Sequence, residues 1–301
     1  MSLHNICNIG DMTISEKLEN NLISYFDWGF VDKGGYINVN VGQTGCFVDD
    51  RSILTKVTDP RATGTLYFQG PENWVYESGS SSTPAPFIPP LVYVNSTLDL
   101  TPTINYRDGR VTPSISVPAN ATVKAKFAYK WVTFTSARKS FNHKRVQYRQ
   151  NRTDLNTADI KMPPEIRMPL PAVVIDVPPI SRSKPYGIDR WGARVYFYDV
   201  DLYIIGESAA DVARISDYLI LQTQTNINTF DPKLVVLADD FPLNFNGTIH
   251  SGKNHQQLSE DYPWSTVWID SATGIWSGYL NEHIYQANVR LKLEFVACLN
   301  C

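Results

Sequence analysis

Gly247-Thr-Ile-His-Ser-Gly252-Lys253 has the G-x-x-x-x-G-K spacing with which backbone amides and one lysine cradle a nucleotide's phosphates. Position 254 is Asn, where that chemistry needs a hydroxyl to ligate Mg²⁺. The polar run 259–263 also gives no sign of the helix whose N-terminus should face the phosphate, so a mobile Gly/Asn loop is expected. His250 and His255, with Glu260 and Asp261, could make a metal or acid–base cluster. Their spacing fits neither H-E-x-x-H nor an i, i+4 pair, and a solvated loop is the expectation. Asp239-Asp240 and Glu260-Asp261 supply the carboxylates a glycosidase needs, but nothing sets them across a bond. Cys298-x-x-Cys301 has zinc-ligand spacing without a second pair, and the remaining cysteines are Cys7 and Cys46. G-x-S-x-G and G-x-G-x-x-G do not occur. No catalytic, cofactor-binding or metal-binding residue is assigned, and the chain is not expected to be an enzyme.

One basic strip remains. Arg138, Lys139, Lys144, Arg145, Arg149 and Arg152 follow one another with no acidic residue between 136 and 153. Phe141 and Tyr148 interleave with them, which would suit a phosphate-tracking surface with stacking platforms. A solvated inter-domain segment is the plainer reading. The third is a docking strip for an acidic face of a neighbouring subunit, where charge sets register and encounter rate. Lys plus Arg is 27 and Asp plus Glu is 30, a formal net charge of −3. That balance provides no global positive field for nucleic acid, so docking ranks above it and these six residues form the candidate partner interface.

The elements that must carry these residues are legible in part. A chain of 301 residues corresponds to about two domains. With 43% hydrophobic and 19% charged residues, wholesale disorder is excluded. The 12% aromatic content and 19 prolines favour a β-rich, turn-rich chain. The first ten residues lack a basic then apolar leader pattern, and no window holds 18 consecutive apolar residues, so neither a signal peptide nor a membrane helix is expected. The N-x-S/T sequons at Asn95, Asn120, Asn151 and Asn246 then carry no assignment.

Thr13-Ile-Ser-Glu16 is a capping box, and Ile14, Leu18, Leu22, Tyr25 and Phe26 continue it as one apolar helical stripe through residue 28. From Tyr36 to about residue 135 the period becomes two, with a hairpin over 104–111 closed by Asp108-Gly109. Val123, Ala125, Phe127, Tyr129 and Trp131 alternate with Lys124, Lys126 and Lys130, predicting a strand with one core face and one lysine face in water. The Ser/Pro tract 78–90 reads as an exposed loop. Further on, 172–177 and 194–205 read as strands, and Ser208 opens a helix with Val212, Ile215 and Leu219 inward. Residues 234–237 read as a short strand. Alternation from Tyr285 to Phe295 predicts a strand of roughly 35–40 Å, comfortable if a partner subunit covers or extends it.

The expected fold class is α+β: a mixed sheet with long strands and two packed helices, plus an inserted all-β sandwich domain. Residues 1–35 are expected to form the helix belonging to the α+β domain, 36–135 the β-sandwich insertion, and 136–301 the remainder of the α+β domain.

Tyr93-Val-Asn-Ser-Thr, the Ile104-Asn-Tyr-Arg-Asp-Gly-Arg-Val111 hairpin and the strand 117–132 together resemble a β-sandwich module of tailed-bacteriophage neck and collar proteins. The remainder resembles a phage tail-terminator or head–tail joining protein in its N-terminal amphipathic helix, long-stranded sheet and capped helix. The resemblance covers most of the chain as a pattern, without a signature motif. It implies a structural virion protein, assembled in the host cytoplasm, that forms a homo-oligomeric ring, commonly a hexamer. Such a ring caps the tail tube and joins it to the neck or connector protein, with sheath protein a further candidate partner. DNA would pass through its channel without sequence-specific binding, and no membrane or cofactor is implied. The chain is longer than a minimal terminator, which leaves a neck, collar or connector adaptor as the alternative. A carbohydrate-binding β-sandwich using Trp74, Trp131 or Trp264 is a further alternative.

Overall fold

The computed structural model describes residues 12–42, 50–58, 66–138, 169–179, 182–186, 193–281 and 284–298. It is a mixed α+β protein, and the chain divides into two compact units. Unit 1 comprises Met1–Asp27, Thr133–Asp239 and His255–Cys301; unit 2 comprises Trp28–Val132 and Asp240–Asn254. This division departs from sequence-expected boundaries at 35/36 and 135/136, and it assigns both the end of the first helix, Trp28–Asp32, and the stretch 240–254 to unit 2.

Helix α1 (Ile14–Asp32) begins at the expected capping box. The Thr13 amide donates to Glu16 Oε2 at 2.7 Å, and the Glu16 amide donates back to Thr13 Oγ1 at 3.3 Å. In unit 1, Leu18, Leu22 and Phe26 of α1 are buried, as the 3.6-residue stripe requires. The helix is also pinned there by polar contacts. Asn21, wholly buried, accepts from the Phe230 amide and donates to the Phe230 carbonyl, both at 2.8 Å. Lys17 pairs with Asp231 at 2.7 Å.

The sheet of unit 1 contains β9 (Thr133–Ser136), β10 (Ala172–Asp176), β11 (Arg182–Pro185), β12 (Ala193–Gly206), β13 (Thr225–Phe230), β14 (Pro263–Asn281) and β15 (Ile284–Cys298). Their order is β13-β14-β15-β12-β10-β9, with β11 also on β12. Among the described residues only the β9–β10 pair of this sheet is parallel. Tyr196, Tyr198, Val200, Leu202 and Ile204 of β12 and Ala287, Val289, Leu291, Leu293 and Phe295 of β15 are all buried, so the alternation read from sequence is the buried face. Helix α2 (Ala209–Ile220) packs on β12, β14 and β15 through Val212, Ile215 and Leu219, and Ser208 caps it by accepting from the Asp211 amide.

Three expectations are corrected in this unit. Residues 234–237 belong to helix α3 (Pro232–Leu237), not to a strand. Asp231 caps it by accepting from the Lys233 amide, and Pro232 occupies the first turn, where its missing N–H costs nothing. A further helix, α4 (His255–Asp261), stands where a solvated loop was expected. The long strand β15 does not need a partner subunit, because β12 and β14 of the same chain flank it. Strand β14 itself was not legible. Register shifts between Ile269 and Ser271 and again between Trp276 and Gly278 break its alternation, and Gly274 and Gly278 read as turn residues.

Unit 2 is two four-stranded sheets about one core, matching the sandwich expected. One has the order β1-β8-β4-β5, from β1 (Tyr36–Val39), β4 (Leu91–Val94), β5 (Thr97–Asp99) and β8 (Val123–Lys130). The other has the order β2-β3-β7-β6, from β2 (Thr55–Thr58), β3 (Leu66–Gln69), β6 (Thr103–Asn105) and β7 (Arg110–Thr112). Phe68, Trp74, Val92, Tyr106, Val111, Val123 and Phe127 build the core, with Trp74 stacked on Phe127 at 4.1 Å between centroids. The β6–β7 hairpin turns at Asp108-Gly109 as predicted. Gly109 has φ +63°, and a Cβ there would overlap the Pro71 carbonyl oxygen, so glycine is required.

The lysine face of β8 is not in water. Lys130 is 7% exposed and pairs at 2.6 Å with Glu77, itself 3% exposed, while Lys124 pairs with Asp50 at 3.0 Å and Lys126 lies over the Phe87 ring. The tract 78–90 has no regular secondary structure, yet it is tied down. Asn38 donates to the Ala85 carbonyl and accepts from the Phe87 amide, both at 3.0 Å, and the Ser81 amide donates to Asp32 at 2.8 Å.

Asn21 holds both polar groups of the Phe230 backbone. Asn21→Ala leaves a buried N–H and a buried C=O of Phe230 unpaired, and we expect it to lower unfolding stability by about 2–4 kcal/mol in urea titration. Ala at the exposed Asn20, one residue earlier on the same helix, should change it by under about 0.5 kcal/mol.

Candidate functional site

The phosphate-loop spacing at 247–253 forms a closed turn in unit 2. Its amides are consumed by its own carbonyls: His250 and Gly252 both donate to Pro242 at 3.1 Å, and Ser251 donates to Phe241 at 2.9 Å. Lys253 is paired with Asp240, so neither the amides nor the ammonium is arranged for a phosphate.

What the turn does present is apolar. Leu243 bridges Ile249, the Asn244 amide donates to Thr248 at 2.8 Å, and the Gly247 amide donates to Asn244 at 2.9 Å. Asn246 accepts from the Thr248 hydroxyl at 2.8 Å, and the Tyr106 amide donates to the Gly247 carbonyl at 2.9 Å, which ties the turn to the β6–β7 hairpin. At the tip of this hydrogen-bonded turn Phe245 is 100% exposed, with Phe241 and Ile249 partly exposed beside it. Sequence reading selected this loop for its glycines and histidines and passed over Phe245. The signal available was an aromatic residue inside the turn sequence Asn-Phe-Asn-Gly.

His255 is placed in unit 1, buried between Tyr25 and Phe230, whose rings meet it edge-on at 5.6 and 5.7 Å. Its Nε2 lies 2.9 Å from the Asn228 carbonyl and so carries the proton, while Nδ1 has no hydrogen-bond partner. Burial pushes its pKa down to about 4, against an opposing pull from the Asn228 carbonyl. The result is a neutral packing residue. Glu260 accepts from Gln256 at 3.0 Å on the same helix, and among the described residues no three His, Cys, Asp or Glu side chains gather as a metal site. Among the described residues no helix is long and apolar enough to cross a membrane.

Of the basic strip, Arg138 is described; Lys139, Lys144, Arg145, Arg149 and Arg152 lie outside the described residues. Arg138 is turned toward its own unit, with Nε 3.2 Å from Glu19 Oε2 and a guanidinium N–H donating to the Val177 carbonyl at 3.1 Å. Ser136 completes the cluster by donating to Glu19 and accepting from the Arg138 amide. The Cys298 side chain and Cys301 also lie outside what is described.

No protein-family model matches the chain, and no curated protein matches its sequence. Trp74 is 1% exposed and donates to the Pro71 carbonyl at 2.8 Å, Trp264 is half-buried against Phe295 with Lys17 over its ring, and Trp131 is half-buried.

The neutral, buried His255 makes a pH prediction. Its folded pKa of about 4 lies below the ordinary 6.5, so the unfolded chain takes up a proton first as pH falls. Stability from this residue is whole above pH 6.5 and drains between 6.5 and 4, by on the order of 3 kcal/mol. Asp99 acts in a later window. Burial would raise its pKa, but hydrogen bonds from Ser114 and Thr101 outweigh that and lower it, so its contribution is lost only on acidification below 3.8. Thermal melts of His255→Leu should therefore show a flatter pH 6.5–4 slope than the parent chain. An unchanged slope would remove His255 as its cause.

Proposed function

We propose that this chain is a structural virion protein of a tailed phage, a tail terminator that closes into a ring, caps the tail tube and presents its other face to the neck or connector. The observation that carries the reading is Phe245, a fully exposed aromatic held on a hydrogen-bonded turn. A rigid aromatic at a loop tip loses little conformational freedom when it enters a partner's pocket, and such anchors dominate protein–protein contacts. The resemblance supports the same reading through 93–97, 104–111 and 117–132. These residues contribute to β4 and β5, the β6–β7 hairpin and β8, all in unit 2. A long-stranded sheet carrying the capped helix α2 is the architecture the resemblance implies for the remainder.

In this role the work is mechanical. Heterologous contacts repeated around an axis close the ring. The strip from Lys139 to Arg152 steers each copy onto its neighbour by charge. DNA passes the channel without base readout.

Native mass measurement with negative-stain imaging of the purified chain tests this directly. Closed six-fold rings are the expected product, and the double reversal Arg145→Glu, Arg149→Glu should weaken ring formation while leaving the monomer's melting temperature in place. Twelve-fold rings would replace the terminator with a neck adaptor. Rings unaffected by the double reversal would take the strip out of the mechanism.

A further inference from the structure

The second sheet of unit 2 carries a row of polar side chains on its outer face. Its register sets Thr55 opposite Gln69, Gln69 opposite Arg110 and Arg110 opposite Asn105, one residue from each of its four strands. Phe68 and Val111, the neighbours of Gln69 and Arg110, are buried in the core, so the row points away from it. Arg110 stands out in this row. It is half-buried, and among the described residues it joins no ion pair. Among the described residues of unit 2, its Nε is the one buried side-chain nitrogen or oxygen without a hydrogen-bond partner. Folded chains rarely leave such a donor unused, and a charged one least of all.

The carboxylate closest to it in sequence is engaged elsewhere. Asp108 accepts from Asn105 Nδ2 at 2.9 Å, and its amide donates to Asn105 Oδ1 at 3.0 Å. Asn105 is thereby spent, and Gly247 lies against it: a Cβ there would overlap Asn105 Oδ1. The other groups around Arg110 are uncharged and unspent. Gln69 is half-buried and Thr55 exposed, and Thr112, two residues along β7 from Arg110, shares its face. None of these three side chains makes a hydrogen bond among the described residues. Tyr67, two residues before Gln69 and so on the same face, adds a half-buried ring.

We propose that this face of unit 2 binds an acidic saccharide, with its carboxylate on the Arg110 guanidinium and its hydroxyls on Gln69, Thr55 and Thr112. The side chains present select this ligand. A guanidinium grips a carboxylate through paired N–H···O bonds, so one unpaired arginine calls for one anionic group. An amide and two hydroxyls both donate and accept, as sugar hydroxyls require. The Tyr67 ring offers an apolar body to the C–H face of a pyranose, with a polar tip beside it. A nucleic-acid strand brings one phosphate per nucleotide and calls for several cations, where this row has one. An acidic peptide adding to the sheet would take an edge strand, whereas Arg110 stands on β7, an inner one. The bound sugar acid supplies the partner that Arg110 lacks. This activity is separate from the ring proposed above and uses neither its basic strip nor Phe245.

Isothermal titration calorimetry of the full chain is the test, with tetragalacturonate, its methyl ester, inorganic phosphate and a short polyglutamate as probes. Tetragalacturonate should bind saturably. The ester, which keeps the ring hydroxyls and loses the charge, should bind at least about tenfold more weakly, as should phosphate and polyglutamate. Arg110→Gln should weaken tetragalacturonate by at least about tenfold and Gln69→Ala by about threefold, with circular dichroism melts verifying that both variants fold. Absence of saturable binding would overturn the proposal, as would an ester bound as tightly as the acid. Phosphate or polyglutamate bound as tightly as the sugar would overturn it too, by reducing the face to a general anion site. Neither substituted residue belongs to the strip or the turn assigned to the ring, so imaging the same variants keeps the two ideas separable.

Discussion

The fold of unit 1 depends on β15 being hydrogen-bonded on both sides. Its ladder with β12 runs from Ala193↔Cys298 to Gly206↔Tyr285, and its ladder with β14 covers the opposite side from Phe295 to Ile284. A strand this long exposes too many amides and carbonyls to stand at an edge. Once it lies inside, the odd residues from Ala287 to Phe295 form a continuous apolar surface beside the even residues of β12. Helix α2 is the lid for that surface. On the opposite face of the same two strands Arg290 grips Asp201 through two bonds of 2.8 and 3.0 Å.

Apolar burial brings α1 to unit 1, and polar contacts fix where it stops. Leu18, Leu22 and Phe26 would tolerate a sliding helix, since dispersion and hydrophobic burial are weakly directional. Asn21 on the Phe230 backbone, Lys17 on Asp231 and Glu19 with Ser136 and Arg138 are not tolerant of sliding. Asp231 has two tasks, capping α3 with one oxygen and receiving Lys17 with the other. The single Arg of the basic strip that is described thus serves the fold of its own unit.

The sequence made visible whatever followed one period without interruption. The capping box at Thr13, the cap at Ser208, the Asp108-Gly109 turn and the alternation of β12 and β15 are local signals, and each appears at the residues that carry it. What was illegible depended on distant partners or on a change of phase. Bulges in β14 move the inward face from Val267 and Ile269 to Ala272 and Gly274, which destroys the alternation over any window long enough to count. Val235 and Val236 suggest a strand until Asp231 and Pro232 are recognised as a cap and first turn. The buried Lys130–Glu77 pair looks in sequence like a solvated lysine on an alternating strand, because Glu77 is 53 residues away. Phe245 was hidden for the opposite reason: one aromatic in a loop has no pattern, and only its complete exposure on a fixed turn marks it.

If β15 is satisfied within its own chain, the proposed assembly must use other surfaces, of which the Phe245 turn is one. Amide hydrogen exchange on the dilute, monomeric chain examines that claim at its root. The account predicts that amides of 284–298 exchange slowest in unit 1, while those of 271–276 that face away from β15 exchange fast. Fast exchange throughout 284–298 in the monomer, slowed only at concentrations where the chain assembles, would contradict it and return the long strand to an interface.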